Sequence, residues 1–306
     1  MSEIRDILLK LKLNFEENAS LRKYNTWKLS GPAKYLVHIN SVEELGKLFP
    51  ILMKKKIPHF ILGKGSNILV PDEGIQGVVI KLGKPFETIE FNGTEVTAGA
   101  GLSFIAFCLN VAKKGLSGME FGAGIPGSIG GAVAMNAGAH GSAVSQVLHS
   151  VTVLDREGVI RNLTNSDLNF SYRKSLIQNK EYIVLDATFT LAYSDREMIV
   201  ELTTKNKEYR LSTQPLTAAS CGSVFKNPLP NYSGDLIEKL GLKGYRIGNA
   251  QISEKHGNFI INLGNASSND ILSLITFVQK AVRDKFNVEL HPEVQILSNQ
   301  YWGNKL

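Results

Sequence analysis

Cysteine is nearly absent. Cys108 and Cys221 are the only two in 306 residues, too few and too isolated for a disulfide framework or a structural zinc site. The six histidines are scattered, with no H-E-x-x-H and no paired metal spacing, so no metal is expected. Long apolar runs are missing too. None approaches the roughly 18 residues that span a bilayer, and no membrane insertion is expected. The opening stretch, "MSEIRDILLKLKLNFEENAS", alternates charged and apolar residues. It reads as an amphipathic helix rather than a signal peptide, which needs an unbroken apolar segment, and a cytoplasmic location is expected. A strong charge imbalance is lacking as well: 34 Lys and Arg stand against 28 Asp and Glu, a net +6. That mild excess suits anionic small ligands such as nucleotides more than nucleic acid. The basic runs "MKKKIP" and "AKKG" fall at expected helix ends, where lysines meet the helix dipole. No nucleic-acid partner is expected, and the chain is expected to be a monomer.

The composition, 43% hydrophobic and 20% charged, is that of an ordinary soluble protein with enough length for two or three domains. Residues 1–82 alternate helical and strand patterns: Ser41 and Glu44 form a capping box, and "IPHFIL" and "GVVIKL" read as short buried strands. Residues 83–213 are rich in glycine and strands. A hairpin is expected at Asn92-Gly93, an amphipathic helix ending at Gly115, a second hairpin near Glu157-Gly158, a long strand "YIVLDATFTLAYS" and a helix "DREMIVELTTKNKEYRLS". Cys108 reads as a small buried residue. Residues 214–306 hold a helix "DLIEKLGLKG", a strand "NFIINLG", a long helix opened by Ser267 or Ser268, a strand "HPEVQIL" and a tail. The last residues are a candidate to return to the first unit. No repeat or low-complexity linker separates the parts, which are therefore expected to pack together.

Two loops have a phosphate-binding character. In "LGKGSNILV", glycines and short polar side chains after a strand expose backbone N–H groups that can nest phosphate oxygens; a tight turn is the alternative, and no P-loop motif is present. "FGAGIPGSIGGAVAMNAGAHG" contains G-x-G-x-x-G. Pro126 fits a strand-to-helix phosphate turn poorly, and no acid follows at the distance that ribose hydroxyls need, so a Rossmann site is rejected. A small-residue surface remains along which an extended ligand can lie, with close backbone packing as the other reading. Together the loops suggest a dinucleotide-sized anionic ligand.

"LGKGSN", "IPGSIGGAVAMNAGAHG", "FSYRKS", "GSVFKNP", "KHGNFIIN" and "HPEV", in this order, resemble the UDP-N-acetylenolpyruvoylglucosamine reductases, as does "LRKYNTWKLSGPAKYLV" near the start. The resemblance covers roughly residues 14–298. It implies an α+β protein: an FAD-binding fold of the vanillyl-alcohol-oxidase and p-cresol-methylhydroxylase type, followed by a C-terminal α+β substrate domain. Residues 1–82 and 83–213 would clasp non-covalent FAD, and 214–306 would close over the UDP-sugar. NADPH would be the reductant, and UDP-N-acetylglucosamine enolpyruvate would become UDP-N-acetylmuramate, a peptidoglycan precursor.

Reducing an enol-ether carboxylate needs positioning, stabilisation of negative charge and a proton. An arginine fork suits a carboxylate, and the resemblance makes Arg173 that residue, although alone it reads as a salt-bridging arginine after a strand. It pairs Arg173 with Glu293, a role that fits best if burial raises the acid's pKa; alone, Glu293 reads as a carboxylate at a strand end. It makes Ser223 the proton donor, a weak acid adequate only beside a strong base. Cys221 is the minor alternative. Tyr172, Asn227, Lys243 and His256 would contact substrate. The cofactor would lie against Gly63, Lys64, Gly65, Ser66 and Asn67 in one loop, and against Ile125, Pro126, Gly127 and Ser128 in the other. Gly130, Gly131, Ala132, Asn136 and Gly138 continue that surface, and Arg210 would face the flavin carbonyls. Only residues 174–209 separate Arg173 from Arg210, too few for the substrate-clamping tyrosine insertion of the family's longer form. Two other readings stay open: an oxidase of the same fold with flavin tethered through His140, and a nucleotide-binding regulator without catalysis.

Overall fold

A computed structural model describes residues 2–179 and 181–298; the expected tail after the last strand lies outside them. Helix α1 (Ser2–Lys10) occupies only the first part of the stretch expected to be helical. Lys12 turns into the left-handed region at φ 54°, and Asn14–Ser20 is a strand. That segment edges a sheet through antiparallel bonds to Pro32–Ile39, so tertiary pairing overrides a local helical pattern.

The first sheet runs in the order 14–20, 32–39, 75–82, 59–62, and its last three strands are parallel. Helix α2 (Val42–Lys54) supplies the crossover and buries Leu45, Leu48, Phe49 and Leu52. Ser41 caps it at 3.1 Å from the Glu44 N–H. Glu44 reaches back to the N–H of Asn40 rather than of Ser41. Strand Ile75–Leu82 is covered on both faces. Val78 and Ile80 enter one core, and Ile75 and Val79 enter another. Burial on both sides is why "GVVIKL" shows no apolar–polar alternation.

The second sheet is antiparallel, in the order 160–164, 148–155, 182–190, 95–99, 89–92. Its first hairpin turns at Gly93-Thr94, one residue later than expected, because Asn92 still pairs with Glu95. Gly93 carries the positive φ of 62° that the turn needs. The expected long strand stops at Thr190, and Ala192–Tyr193 pairs instead with Leu116–Ser117. Helix α3 (Phe104–Lys113) is capped by Ser103 and the short α4 (Ile129–Ala134) by Ser128. Helix α5 (Arg196–Thr213), capped by Asp195, completes this part.

Helix α6 (Ser233–Lys239) and helix α7 (Ser268–Phe286) flank a four-stranded antiparallel sheet, 219–220, 260–262, 250–252, 246–247. Ser267 and Asp270 form a capping box at the start of α7. Ile271, Leu274, Ile275, Val278 and Val282 make the buried stripe of α7, at the three-and-four spacing of a helix face. This stripe shares one core with Trp27, Leu36 and Val79 of the first sheet region. Trp27 Nε1 donates to the Ile260 carbonyl at 2.8 Å. The expected strand "HPEVQIL" contracts to Gln295–Ile296, which pairs in parallel with Ile68–Leu69. No helix among the described residues is long and apolar enough to cross a membrane.

Candidate active site

Both glycine loops open onto one cavity of about 330 Å3. The first, residues 63–67, joins strand His59–Leu62 to Ile68–Leu69. Gly65 sits at φ 65°, and a Cβ there would lie 2.0 Å from the Tyr24 carbonyl. Only glycine permits this approach. Gly63 is similarly tight, because its Cβ would fall 2.5 Å from Ser128 Oγ. The two loops are tied together where Ser66 Oγ donates to the Pro126 carbonyl at 2.9 Å. Phe104 N–H donates to the Gly127 carbonyl, seating the second loop against α3.

Arg173 reaches the cavity from a tight turn. Ser171 and Lys174 exchange backbone hydrogen bonds at 3.1 Å each, and Arg173 is left-handed at φ 56°. A non-glycine residue held there stores strain that its surroundings must offset. Gln178 Nε2 donates to the Arg173 carbonyl at 3.0 Å. The guanidinium donates to Glu293 Oε1 at 2.8 Å and to the Gly138 carbonyl at 3.0 Å.

Glu293 is joined to the Ser223 segment through the backbone: its N–H donates to the Val224 carbonyl at 2.7 Å. Asn67 Nδ2 donates to the Glu293 carbonyl at 3.2 Å, and the Gln295 N–H donates to the Asn67 carbonyl. Burial pushes the Glu293 carboxyl above its ordinary value, with the Arg173 charge and hydrogen bond opposing. Gly222, at φ 83°, has nothing within 4 Å of where a side chain would begin, which leaves an approach to Ser223. Cys221 is buried, and burial pushes its thiol well above the ordinary range, so it stays protonated and unreactive.

All the expected loop residues line this cavity except Asn136; Arg173, Arg210, Ser223 and Glu293 line it as well. Asn136 bonds instead to the Ser171 carbonyl and the Ser145 N–H. Four other expected contacts also lie outside the lining. Tyr172 is exposed, with the Arg173 guanidinium 5.2 Å from its ring centroid. Asn227 Oδ1 accepts the Ser233 N–H at 3.1 Å. Lys243 pairs with Glu238 at 3.0 Å. His256 accepts the Asn258 N–H, and burial lowers its pKa. His140, the residue an oxidase would use for a flavin tether, packs on Tyr209 rather than lining the cavity.

Lys81, Gln178 and Gln214 line the cavity without having been expected there. Lys81 had a signal: it shares strand parity with the buried Val79, so a charge at that place in "GVVIKL" has to meet something polar. It donates to the Gly63 carbonyl at 2.9 Å, and burial, then Lys64, lowers its pKa. Among the described residues, no three or more potential metal ligands cluster.

Known proteins agree with this architecture. A family model described as "FAD binding domain" matches residues 33–164, and one for "UDP-N-acetylenolpyruvoylglucosamine reductase, C-terminal domain" matches residues 214–297. The chain is similar to the UDP-N-acetylenolpyruvoylglucosamine reductase of Bacillus subtilis, 48% identical over 92% of this chain and 93% of that one. It is 46% identical to the same-named protein of Halalkalibacterium halodurans, over 92% of this chain and 94% of that one. The crystal structure of the reductase from Thermus caldophilus superposes with a TM-score of 0.82 and 35% identity, covering 94% of this chain and all of that one.

Proposed function

This chain belongs to the UDP-N-acetylenolpyruvoylglucosamine reductase family, and we propose that it reduces UDP-N-acetylglucosamine enolpyruvate to UDP-N-acetylmuramate with NADPH as reductant. It is an FAD-dependent oxidoreductase. The observation that carries the finer reading is the convergence of Arg173, Glu293 and the Ser223 loop on one cavity with both glycine loops.

The cavity suits FAD. Gly63, Gly65 and Ser66 line it in a loop whose backbone N–H groups suit a close pyrophosphate. Arg210 lines the cavity, and its guanidinium charge is suited to a flavin carbonyl. When bound, FAD supplies a hydride to the substrate's enolpyruvyl carbon and is reduced again by NADPH.

The protein's own groups would do the rest. Arg173 binds the substrate carboxylate through its planar fork, oriented by Glu293 and Gly138. Glu293, whose pKa burial raises, would in its protonated form donate a hydrogen bond to the enolate oxygen and spread the developing charge. Ser223 Oγ gives its proton to the adjacent carbon, a transfer that this weak acid manages only when held in place. The nucleotide end of the substrate would extend beyond the cavity toward Asn227, Lys243 and His256. Two measurements test the reading: the visible spectrum of the purified protein before and after NADPH, and NADPH oxidation with and without the enolpyruvyl sugar. A colourless protein, or NADPH oxidation indifferent to the sugar, refutes it.

A further inference from the structure

Lys81 is a half-buried charge for which the chemistry described above has no use. It stands near the end of strand Ile75–Leu82, in parallel register with Leu62, the residue before Gly63. It therefore lies beside the first glycine loop at the carboxyl ends of parallel strands, where open α/β sheets hold their ligands. Its Nζ donates to the Gly63 carbonyl at 2.9 Å. An ammonium has three donors, and this carbonyl takes one. No described carboxylate forms an ion pair with Lys81. Glu87, the acid that acts on it at a distance, is bonded to Lys64 at 2.9 Å. A cation drawn out of water without a counter-charge is destabilising. Lys81 keeps partial exposure and lines the cavity, so an entering anion can reach it and supply what the protein does not.

We propose that Lys81 is a positioning residue for the cofactor, its ammonium holding the Gly63 carbonyl in place and supplying the counter-charge for the diphosphate of FAD. The inference rests on FAD binding but not on the enolpyruvyl substrate. The diphosphate is favoured over the substrate carboxylate because Lys81 is bonded to the glycine loop itself, whereas Arg173 is bonded to Glu293 and Gly138.

Burial, then the like charge of Lys64, lowers the Lys81 pKa in the empty protein, and a bound diphosphate raises it again. FAD affinity should therefore be level below the lowered value and fall by about tenfold per pH unit above it. Lys64 and Glu87 act on Lys81. His59, Arg173, Tyr182, Arg210, Cys221 and Glu293 share the cavity, and the flavin N–H titrates too. All of these persist in a Lys81 variant, which isolates the lysine. The test strips flavin from wild type, Lys81→Met and Lys81→Arg, and titrates each with FAD by fluorescence from neutral to alkaline pH. Lys81→Met should bind FAD about 10-fold to 100-fold more weakly at neutral pH and lose the alkaline fall. Lys81→Arg, charged throughout, should bind FAD nearly as wild type does and also lose the fall. If Lys81→Met does not fold, the wild-type and Lys81→Arg profiles decide. A level wild-type profile, a fall that persists in the variants, or unchanged neutral affinity in Lys81→Met overturns the proposal. An alkaline rise in KM for the UDP-sugar with FAD affinity level also overturns it, in favour of the substrate. A wild-type protein that binds FAD but does not turn over the sugar refutes the proposed function and leaves this inference standing.

Discussion

Arg173 and Glu293 stand 120 positions apart in sequence, and a hydrogen bond of 2.8 Å joins them. Their side chains are largely shielded from water, so the pair owes little to surface electrostatics. The acid is raised by burial, and the arginine only moderates that. Because the folded protein holds this proton more tightly than the unfolded chain, stability from Glu293 is fully present below the ordinary carboxylate pKa. It is lost as pH rises through the raised value. Thermal unfolding followed against pH should show this decline, and Glu293→Gln should remove it. A decline that persists in the variant assigns it to another group.

Ser223→Ala should separate the half-reactions. Flavin reduction by NADPH should proceed at nearly the wild-type rate, while turnover of the enolpyruvyl sugar falls by about 100-fold to 10,000-fold. Stopped-flow absorbance and product assay measure the two separately. Near-normal product formation would mean that the proton comes from elsewhere, and Cys221→Ala is the companion experiment.

Gly65 and Gly93 have almost the same positive φ, 65° and 62°, but different surroundings. Gly93→Ala meets nothing within 4 Å and should be destabilising by only about 1 kcal/mol through its dihedral. Gly65→Ala drives a methyl into the Tyr24 carbonyl and should cost several times more, with loss of FAD. Chemical denaturation and flavin content test both. Equal losses would show that the dihedral alone matters.

Trp27 is fully buried, and its indole is bonded to Ile260. Trp27→Phe leaves a cavity and an unpaired carbonyl, a loss of about 2–4 kcal/mol. Since the core around Trp27 joins the first sheet to α7, unfolding should move as one transition at all probes. Two separated transitions would show that the parts fold independently.

Much of this was legible beforehand. Helix α7 announced itself by its cap candidates Ser267 and Ser268, and both glycine loops by their lack of side-chain bulk. The segment 14–20 was not, because its strand exists only through a partner. Asn227 and His256 show another limit: a motif tells which residues are neighbours in the chain but not which way each side chain points. The Arg173–Glu293 pair entered through family resemblance rather than spacing, and no local pattern marks it. Gln214, which lines the cavity, carried no signal.

The parallel pairing of Gln295–Ile296 with Ile68–Leu69 sets the order in which the site is completed during synthesis. The glycine loop at 63–67 leaves the ribosome early, yet Asn67 finds its partners at Glu293 and Gln295 only after every described helix has been made. A nascent chain that has emerged as far as α7 therefore has both glycine loops but lacks the acid and the closing strand. Such a chain can form neither the Arg173–Glu293 bond nor the tie from Asn67 to the Glu293 carbonyl.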